Sequence, residues 1–224
     1  MKFRPLIAIA HRGAHARYPE NSLPAILAAL DAGADGVEID VHGTSDGRLV
    51  VHHDPGLADG REISRLSGKE LAAVELAPGI PVPFLEEVLE AVAGKASLFI
   101  ETKAQGIEFP LIRAVRRGSG ECAVHSFHHV TIRNIKLTMP ALRTGILTSG
   151  TTETAMAAAL ATRADDVWHE AGGIDATLVR ECHRAGKQVI AWTVNSATGC
   201  QHLATLGVDG ICTDDLSLIP AEPR

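Results

Sequence analysis

The sequence has few cysteines, no basic cluster, no long apolar run, and too little glycine and proline for a fibrous or low-complexity chain. The four cysteines, Cys122, Cys182, Cys200 and Cys212, lack the close spacing that holds zinc. A chain of 224 residues needs no disulfide staple, so buried thiols in a reducing compartment are expected. With 21 Lys+Arg against 27 Asp+Glu, a formal charge of −6 and no basic patch, no nucleic-acid partner or anionic membrane surface is expected. The apolar residues 6–10 are fewer than the about 7–15 that a signal peptide core requires. No stretch reaches the length of a membrane span, so no stable membrane insertion and a cytoplasmic location are expected. Hydrophobic side chains make up 46% of the chain, too many for a disordered one.

What is present is alternation. Short apolar, β-branched runs fall at residues 6–10, 37–41, 49–53, 98–101, 123–127, 144–147, 166–169, 189–194 and 210–213. Helical patterns separate many of them, at 84–92, 107–116, 130–137, 153–161, 176–185 and 198–206. Leu23, Ile26, Leu27 and Leu30 form a further i, i+3, i+4, i+7 stripe, which Asn21 or Ser22 can cap and Gly33 can stop. Strand alternating with helix over the whole length predicts parallel strands joined by crossovers, and about 200–250 residues suits one (β/α)₈ barrel of the TIM type. Nine strand candidates are one too many for such a barrel. The link between the second and third is too short for a helical crossover, so those two either pair antiparallel or are joined by a taut connection. An open doubly wound sheet is the alternative, but His11, Arg12 and Gly13 stand where its glycine-rich phosphate loop would begin. Residues 1–224 read as one domain, irregular early in the barrel, with residues 56–83 as a small insertion or loop over one face.

The polar residues in unusual places sit at the C-terminal ends of these strands, which in a barrel open onto one face. The first delivers His11 and Arg12. The second delivers Glu38, Asp40 and His42 on one face, while Val37, Ile39 and Val41 point the other way. The third delivers His52 and His53 on opposite faces, and the fourth brings Glu101 and Lys103 together. Carboxylates packed in a barrel suffer a large desolvation cost unless paired or metal-bound. Three oxygen donors without thiolate favour Mg²⁺ or Ca²⁺, with Mn²⁺ as a further candidate. Arg12 and Lys103 are then free to hold an anion, and phosphate suits them best. Two imidazoles, a hard cation and two fixed positive charges fit phosphodiester cleavage by general acid and base.

The runs His11-Arg12-Gly13, Pro19-Glu20-Asn21-Ser22, Gly33-Ala34-Asp35-Gly36-Val37-Glu38-Ile39-Asp40-Val41, Thr44-Ser45-Asp46-Gly47 and Val51-His52-His53-Asp54 closely resemble the glycerophosphodiester phosphodiesterase family. Pro81-Val82-Pro83-Phe84, Glu101-Thr102-Lys103, Ser126-Phe127, Ala191-Trp192-Thr193-Val194-Asn195 and Gly207-Val208-Asp209-Gly210-Ile211-Cys212-Thr213-Asp214 are similar to its later motifs, in the same order. The resemblance implies a phospholipase C-like TIM barrel that hydrolyses small-molecule glycerophosphodiesters to sn-glycerol 3-phosphate and an alcohol. It further implies Glu38, Asp40 and Glu101 as metal ligands, His11 and His53 as the acid/base pair, and Arg12, Lys103 and Trp192 as substrate-binding residues. Glu20 and Asn21 fall where they could line the mouth. Leu57-Ala58-Asp59-Gly60-Arg61 departs from the family's usual run, in a segment expected to recognise the alcohol or glycerol part. His42, which shares a face with the carboxylates, is a candidate additional ligand, whereas His52, His125 and His169 lie outside the motifs. Cleavage of a lysophospholipid or a lipid headgroup, and phosphate-ester binding without catalysis, are the alternative functions. The oligomeric state is left open.

Overall fold

A computed structural model describes residues 6–219. Elements follow one another as β1 (Ile7–His11), α1 (Leu23–Asp31), β2 (Gly36–Gly43), β3 (Leu49–Val51), α2 (Gly68–Leu71), β4 (Glu75–Ala77), β5 (Ile80–Pro81), α3 (Leu85–Val92), β6 (Ser97–Thr102) and α4 (Glu108–Arg117). The chain continues as β7 (Cys122–Ser126), α5 (His129–Thr138), β8 (Arg143–Thr148), α6 (Thr152–Thr162), β9 (Asp166–Glu170), α7 (Ala176–Arg184), β10 (Gln188–Trp192), α8 (Ala197–Leu206) and β11 (Gly210–Thr213). The strands run β1-β11-β10-β9-β8-β7-β6-β2, all parallel, and β1 pairs with β2 to close the ring. The fold is a TIM-type (β/α)₈ barrel.

The ninth strand candidate is β3. It pairs antiparallel with the end of β2, Val41 opposite Val51 and Gly43 opposite Leu49. The strand therefore lies outside the ring and runs against the barrel direction, so the expectation that every candidate strand ends at the same face fails here. Its two histidines nevertheless return to the rim. β2 continues past the rim, turns at Thr44–Arg48 (Thr44 N donates to Arg48 O at 2.9 Å), and β3 brings the chain back until His52 N donates to Asp40 O at 3.0 Å.

Residues 56–83 hold α2, capped reciprocally by Ser67 and Glu70, and the β4–β5 hairpin. Their apolar side chains Leu57, Ile63, Leu66, Leu71 and Val82 gather with Val50 and Phe84 in a small buried cluster of their own. The short period of each piece explains why no helix or strand pattern was visible in the segment.

Side-chain parity separates two cores. Val37, Ile39 and Val41 face outward into the main cluster under the helices. Ile9, Phe99, Ala123, Leu147, Trp168, Ile190 and Cys212 fill the inside of the ring. At the strand beginnings, Arg143 donates to both carboxylate oxygens of Asp166 at 2.7 and 3.0 Å and also to Gln188, which closes the floor with satisfied polar groups. Two glycines make room above it: a Cβ on Gly36 would lie 2.5 Å from the Phe99 ring, and one on Gly145 would lie 2.7 Å from the Trp168 ring and 3.3 Å from the Cβ of His125. Trp168 is the largest fully buried side chain, and the His125 ring stacks on it with centroids 4.0 Å apart and planes 4° from parallel. Overpacking such a site costs about 1–3 kcal/mol. Gly145→Ala is therefore expected to lower stability by that amount in denaturant unfolding and to weaken binding of any ion near His125.

Four helices begin where a side chain accepts a free amide: Ser22 from Ala25 N, Thr151 from Thr154 N, Asp175 from Leu178 N and Ser196 from Gly199 N. All four cysteines are free, and Cys182, Cys200 and Cys212 are buried, in keeping with the expectation of buried thiols. No helix among the described residues is long and apolar enough to cross a membrane.

Candidate active site

The pairing register assembles the site. His11 lies beside Glu38 across β1 and β2, Asp40 beside Glu101 across β2 and β6, and Glu101 beside His125 across β6 and β7. His11, Glu38, Glu101 and His125 open onto the C-terminal mouth of the barrel. There a cavity of ≈ 200 Å³ is lined by His11, Arg12, Glu38, His53, Glu101, Lys103, His125, Phe127, Leu147, Trp168, Trp192, Thr193 and Cys212. Seven of the eight residues singled out in the sequence thus line one cavity; Asp40 lies just behind it. No residue of 56–83 lines this cavity. The apolar wall comes instead from strands on the far side, with Phe127 edge-to-face on Trp192 at 5.5 Å.

The turn after β1 explains why histidine and arginine are followed by glycine. Arg12 and Gly13 both take positive φ, 56° and 83°. A Cβ on Gly13 would lie 2.7 Å from the backbone of Ala25, so only glycine lets α1 start against the strand end. The same turn directs Arg12 N to Glu38 Oε2 at 3.3 Å and lays the Arg12 guanidinium against Asp40, Nε to Oδ2 at 3.1 Å. Glu20 holds the other end of that guanidinium, accepting from Nη1 at 2.9 and 3.0 Å, so Glu20 positions Arg12.

Asn21 is not the helix cap, since Ser22 takes that role. Its buried amide instead donates to Asp40 Oδ2 at 2.8 Å and accepts from Asp40 N at 3.1 Å, holding both the carboxylate and the backbone of Asp40. Losing a partner that orients a metal-binding or catalytic carboxylate typically costs about 10–100-fold in affinity or activity. Asn21→Ala is expected to fall in that range for kcat/KM in a steady-state assay, while Asn21→Asp, adding a charge beside Asp40, should be worse.

The electrostatics are those of a carboxylate cluster in need of positive charge. Burial and the neighbouring Asp40 charge push the Glu38 carboxyl up to about 7. Burial and the charge of Glu38 likewise raise Glu101. Burial alone would raise Asp40 as well, but Lys103 and Arg12 outweigh it and hold this carboxyl below its ordinary value. Lys103 Nζ sits 3.1 Å from Asp40 Oδ1 and 2.8 Å from Glu101 Oε1. Both cations, expected to be free for an anion, are thus engaged by the carboxylates. Burial lowers His11, but the Asp214 bond and the Glu38 charge more than compensate, leaving it raised.

Two observations bear on a metal ion. Asp40 Oδ1 is buried and, although within ion-pair distance of Lys103, makes no aligned hydrogen bond. Glu38, Glu101 and His125 each offer a ligand atom, all within 4.8 Å of one another. The donor set fits a divalent cation, and two of the three carboxylates proposed from the sequence converge directly; Asp40 faces Arg12, Lys103 and Asn21. His125 was placed outside the motifs, yet its Nε2 lies 3.7 Å from Glu38 Oε1 and burial pushes it down to about 4, keeping it neutral as a metal ligand must be. Its parity with Ala123, on the inward face of β7, was the available signal. His42 does not join these ligands: its Nε2 donates to His53 O at 3.0 Å and steadies the segment that carries His53. His52 bonds the Asp54 carbonyl at 2.8 Å, and buried His169 ties the carbonyls of Gly150 and Glu170 at 2.7 and 2.8 Å.

Comparison with known proteins matches the chain over nearly its whole length. Residues 11–218 match the Glycerophosphoryl diester phosphodiesterase family. A glycerophosphodiester phosphodiesterase of Caldanaerobacter subterraneus subsp. tengcongensis is 33% identical, over 93% of this chain and 94% of that protein. The crystal structure of a glycerophosphodiester phosphodiesterase from Thermotoga maritima superposes with a TM-score of 0.84 at 25% identity, covering 96% of both chains. A phosphodiesterase of Oleispira antarctica, solved in complex with the product sn-glycerol-3-phosphate, shares the fold at a TM-score of 0.86 and 24% identity, covering 94% of this chain and 93% of that one.

Proposed function

Because the chain belongs to the glycerophosphoryl diester phosphodiesterase family, we propose that it hydrolyses glycerophosphodiesters to sn-glycerol 3-phosphate and an alcohol at the mouth of its barrel. It is a phosphoric diester hydrolase. The observation that carries the reading is the convergence on one cavity of His11, His53, Glu38, Glu101, Arg12 and Lys103. Glu38 and Glu101, with Asp40 behind them and His125 beside them, would hold one divalent cation, Mg²⁺, Ca²⁺ or Mn²⁺. When bound, that ion supplies Lewis-acid stabilisation of charge on the non-bridging phosphate oxygens. Arg12 and Lys103, the cations at the cavity, would pair with the anionic phosphate.

One imidazole of the His11–His53 pair takes the proton of the nucleophile as its oxygen bonds to phosphorus. The other delivers a proton to the departing alkoxide as the second phosphorus–oxygen bond breaks. An unassisted alkoxide leaves poorly near neutral pH, so the second proton is as necessary as the first. Trp192 and Phe127 give the substrate an apolar wall.

A panel of glycerophosphocholine, glycerophosphoethanolamine, glycerophosphoglycerol and lysophosphatidylcholine, each with Mg²⁺, Ca²⁺ and Mn²⁺, tests the reading by phosphorus NMR. Glycerol 3-phosphate should appear from the water-soluble diesters and stop appearing with chelator. A cyclic phosphate signal that rises and decays would show attack by the neighbouring glycerol hydroxyl before water. Turnover confined to the lysophospholipid would contradict the proposal.

A further inference from the structure

His11 is held from behind. Its Nδ1 lies 2.6 Å from Asp214 Oδ1, while its Nε2 faces the cavity, 4.0 Å from Glu38 Oε2. A carboxylate accepts and does not donate, so the proton in this bond belongs to Nδ1 and the free nitrogen is the one turned to the reaction. Asp214 follows β11, and it is fixed in turn by groups from two other loops. His15 Nε2 donates to the same oxygen at 3.1 Å, Asn195 Nδ2 donates to Oδ2 at 2.5 Å, and Asp214 N donates back to Asn195 Oδ1 at 3.0 Å. The second imidazole of the site has a weaker counterpart. His53 Nδ1 meets only its sequence neighbour Asp54, at 2.8 Å, and that carboxylate is 70% exposed against 34% for Asp214.

We propose that Asp214 is the positioning residue of the centre: it locks His11 in the Nδ1–H tautomer with Nε2 toward the phosphate, and His15 and Asn195 lock Asp214. The proposal rests on the acid/base reading of His11, but its structural half stands apart from activity. His11 is thus held by a carboxylate that three loops fix, whereas the His53 ring has only the exposed Asp54 carboxylate behind it. The carboxylate behind a catalytic imidazole holds the correct tautomer and stabilises the imidazolium, and its loss in a hydrolase triad costs about 10⁴-fold in kcat.

The test uses the full chain, labelled with ¹⁵N at histidine and assigned by a His11→Gln spectrum. Wild-type His11 should give the Nδ1–H tautomer pattern, and Asp214→Ala should shift it to the commoner Nε2–H form. In steady state, Asp214→Ala is expected to lower kcat by about 10²–10⁴-fold with KM changed by less than about threefold, and Asp214→Glu to recover part of the loss. Asn195→Ala, which leaves His11 and its carboxylate in place but removes two bonds that orient the carboxylate, should cost about 10–100-fold, less than Asp214→Ala. Should Asp214→Ala fail to fold, the wild-type spectrum and Asn195→Ala still decide. A wild-type His11 in the Nε2–H tautomer, or an Asp214→Ala kcat within threefold of wild type, overturns the proposal. Absence of turnover by the wild-type enzyme on every diester would overturn the functional reading instead, leaving the tautomer result to stand or fall alone.

Discussion

Glu38→Gln is expected to lower kcat/KM by at least about 10³-fold while making the metal-free protein more stable. Glu38 lies among three groups of the site: His11 at 4.0 Å, His125 at 3.7 Å and Arg12 N at 3.3 Å. A glutamine keeps the volume but loses the charge that an ion needs. Without metal that charge is a burden, because burial pushes the carboxyl from an ordinary 4.5 to about 7. A carboxyl whose pKa is raised on folding favours the folded state below its unfolded value and loses that advantage as pH rises through the folded one. The variant and wild type should therefore melt together near pH 4.5 in the presence of chelator. The gap should open as pH climbs toward 7, reaching about 1–3 kcal/mol above it, or several degrees in Tm for a chain of this size. Calorimetry at pH 5 and pH 8 with chelator measures both ends, and saturating Mg²⁺ should narrow the gap by stabilising only the wild type. Equal melting at pH 8 would mean that Glu38 carries no uncompensated charge.

His53→Ala should produce the opposite balance, a loss of kcat of about 10²–10⁴-fold with Tm nearly unchanged. The ring is about a third exposed and bonds only Asp54, which is itself exposed. The backbone position of His53 is secured independently, through His42 Nε2 on its carbonyl and His52 N on Asp40 O. Nothing in the core depends on the imidazole, so a thermal melt within a degree or two of wild type, beside collapsed turnover, identifies a residue kept for chemistry. A loss smaller than tenfold would remove His53 from the acid/base pair.

The elements of the barrel were readable because each strand and helix carries its own period. Eight strands and seven of the helices fall within a residue or two of the apolar patterns, and parity along β2 correctly set Glu38 and Asp40 against Val37, Ile39 and Val41. What could not be read is what depends on a partner distant in sequence. β3 looks like any other strand, and only the five residues between it and β2 hint that it turns back rather than crosses over. Asn21 looks like a helix cap because Asn and Ser are equally good ones, and the clamp on Asp40 appears only once β2 is packed beside the turn. His125 and Asp214 are single polar residues at or just past strand ends, a common occurrence; parity alone marks the first, and the second closes a motif without a role assigned to it. Their meaning comes from register, which sets Glu101 beside His125, and from loop closure, which brings Asp214 behind His11. The aromatic filling of the barrel was equally hidden, because it depends on Gly36 and Gly145 lying opposite Phe99 and Trp168.

The most direct test is release of sn-glycerol 3-phosphate from glycerophosphocholine in a single turnover, with enzyme in excess and Mn²⁺ at one equivalent. Wild-type protein is expected to release one equivalent, and none after chelation; the His11→Ala, His53→Ala double variant, although folded and still able to bind Mn²⁺, is expected to release none. Release that survives both the chelator and the double substitution would place the chemistry elsewhere in the molecule.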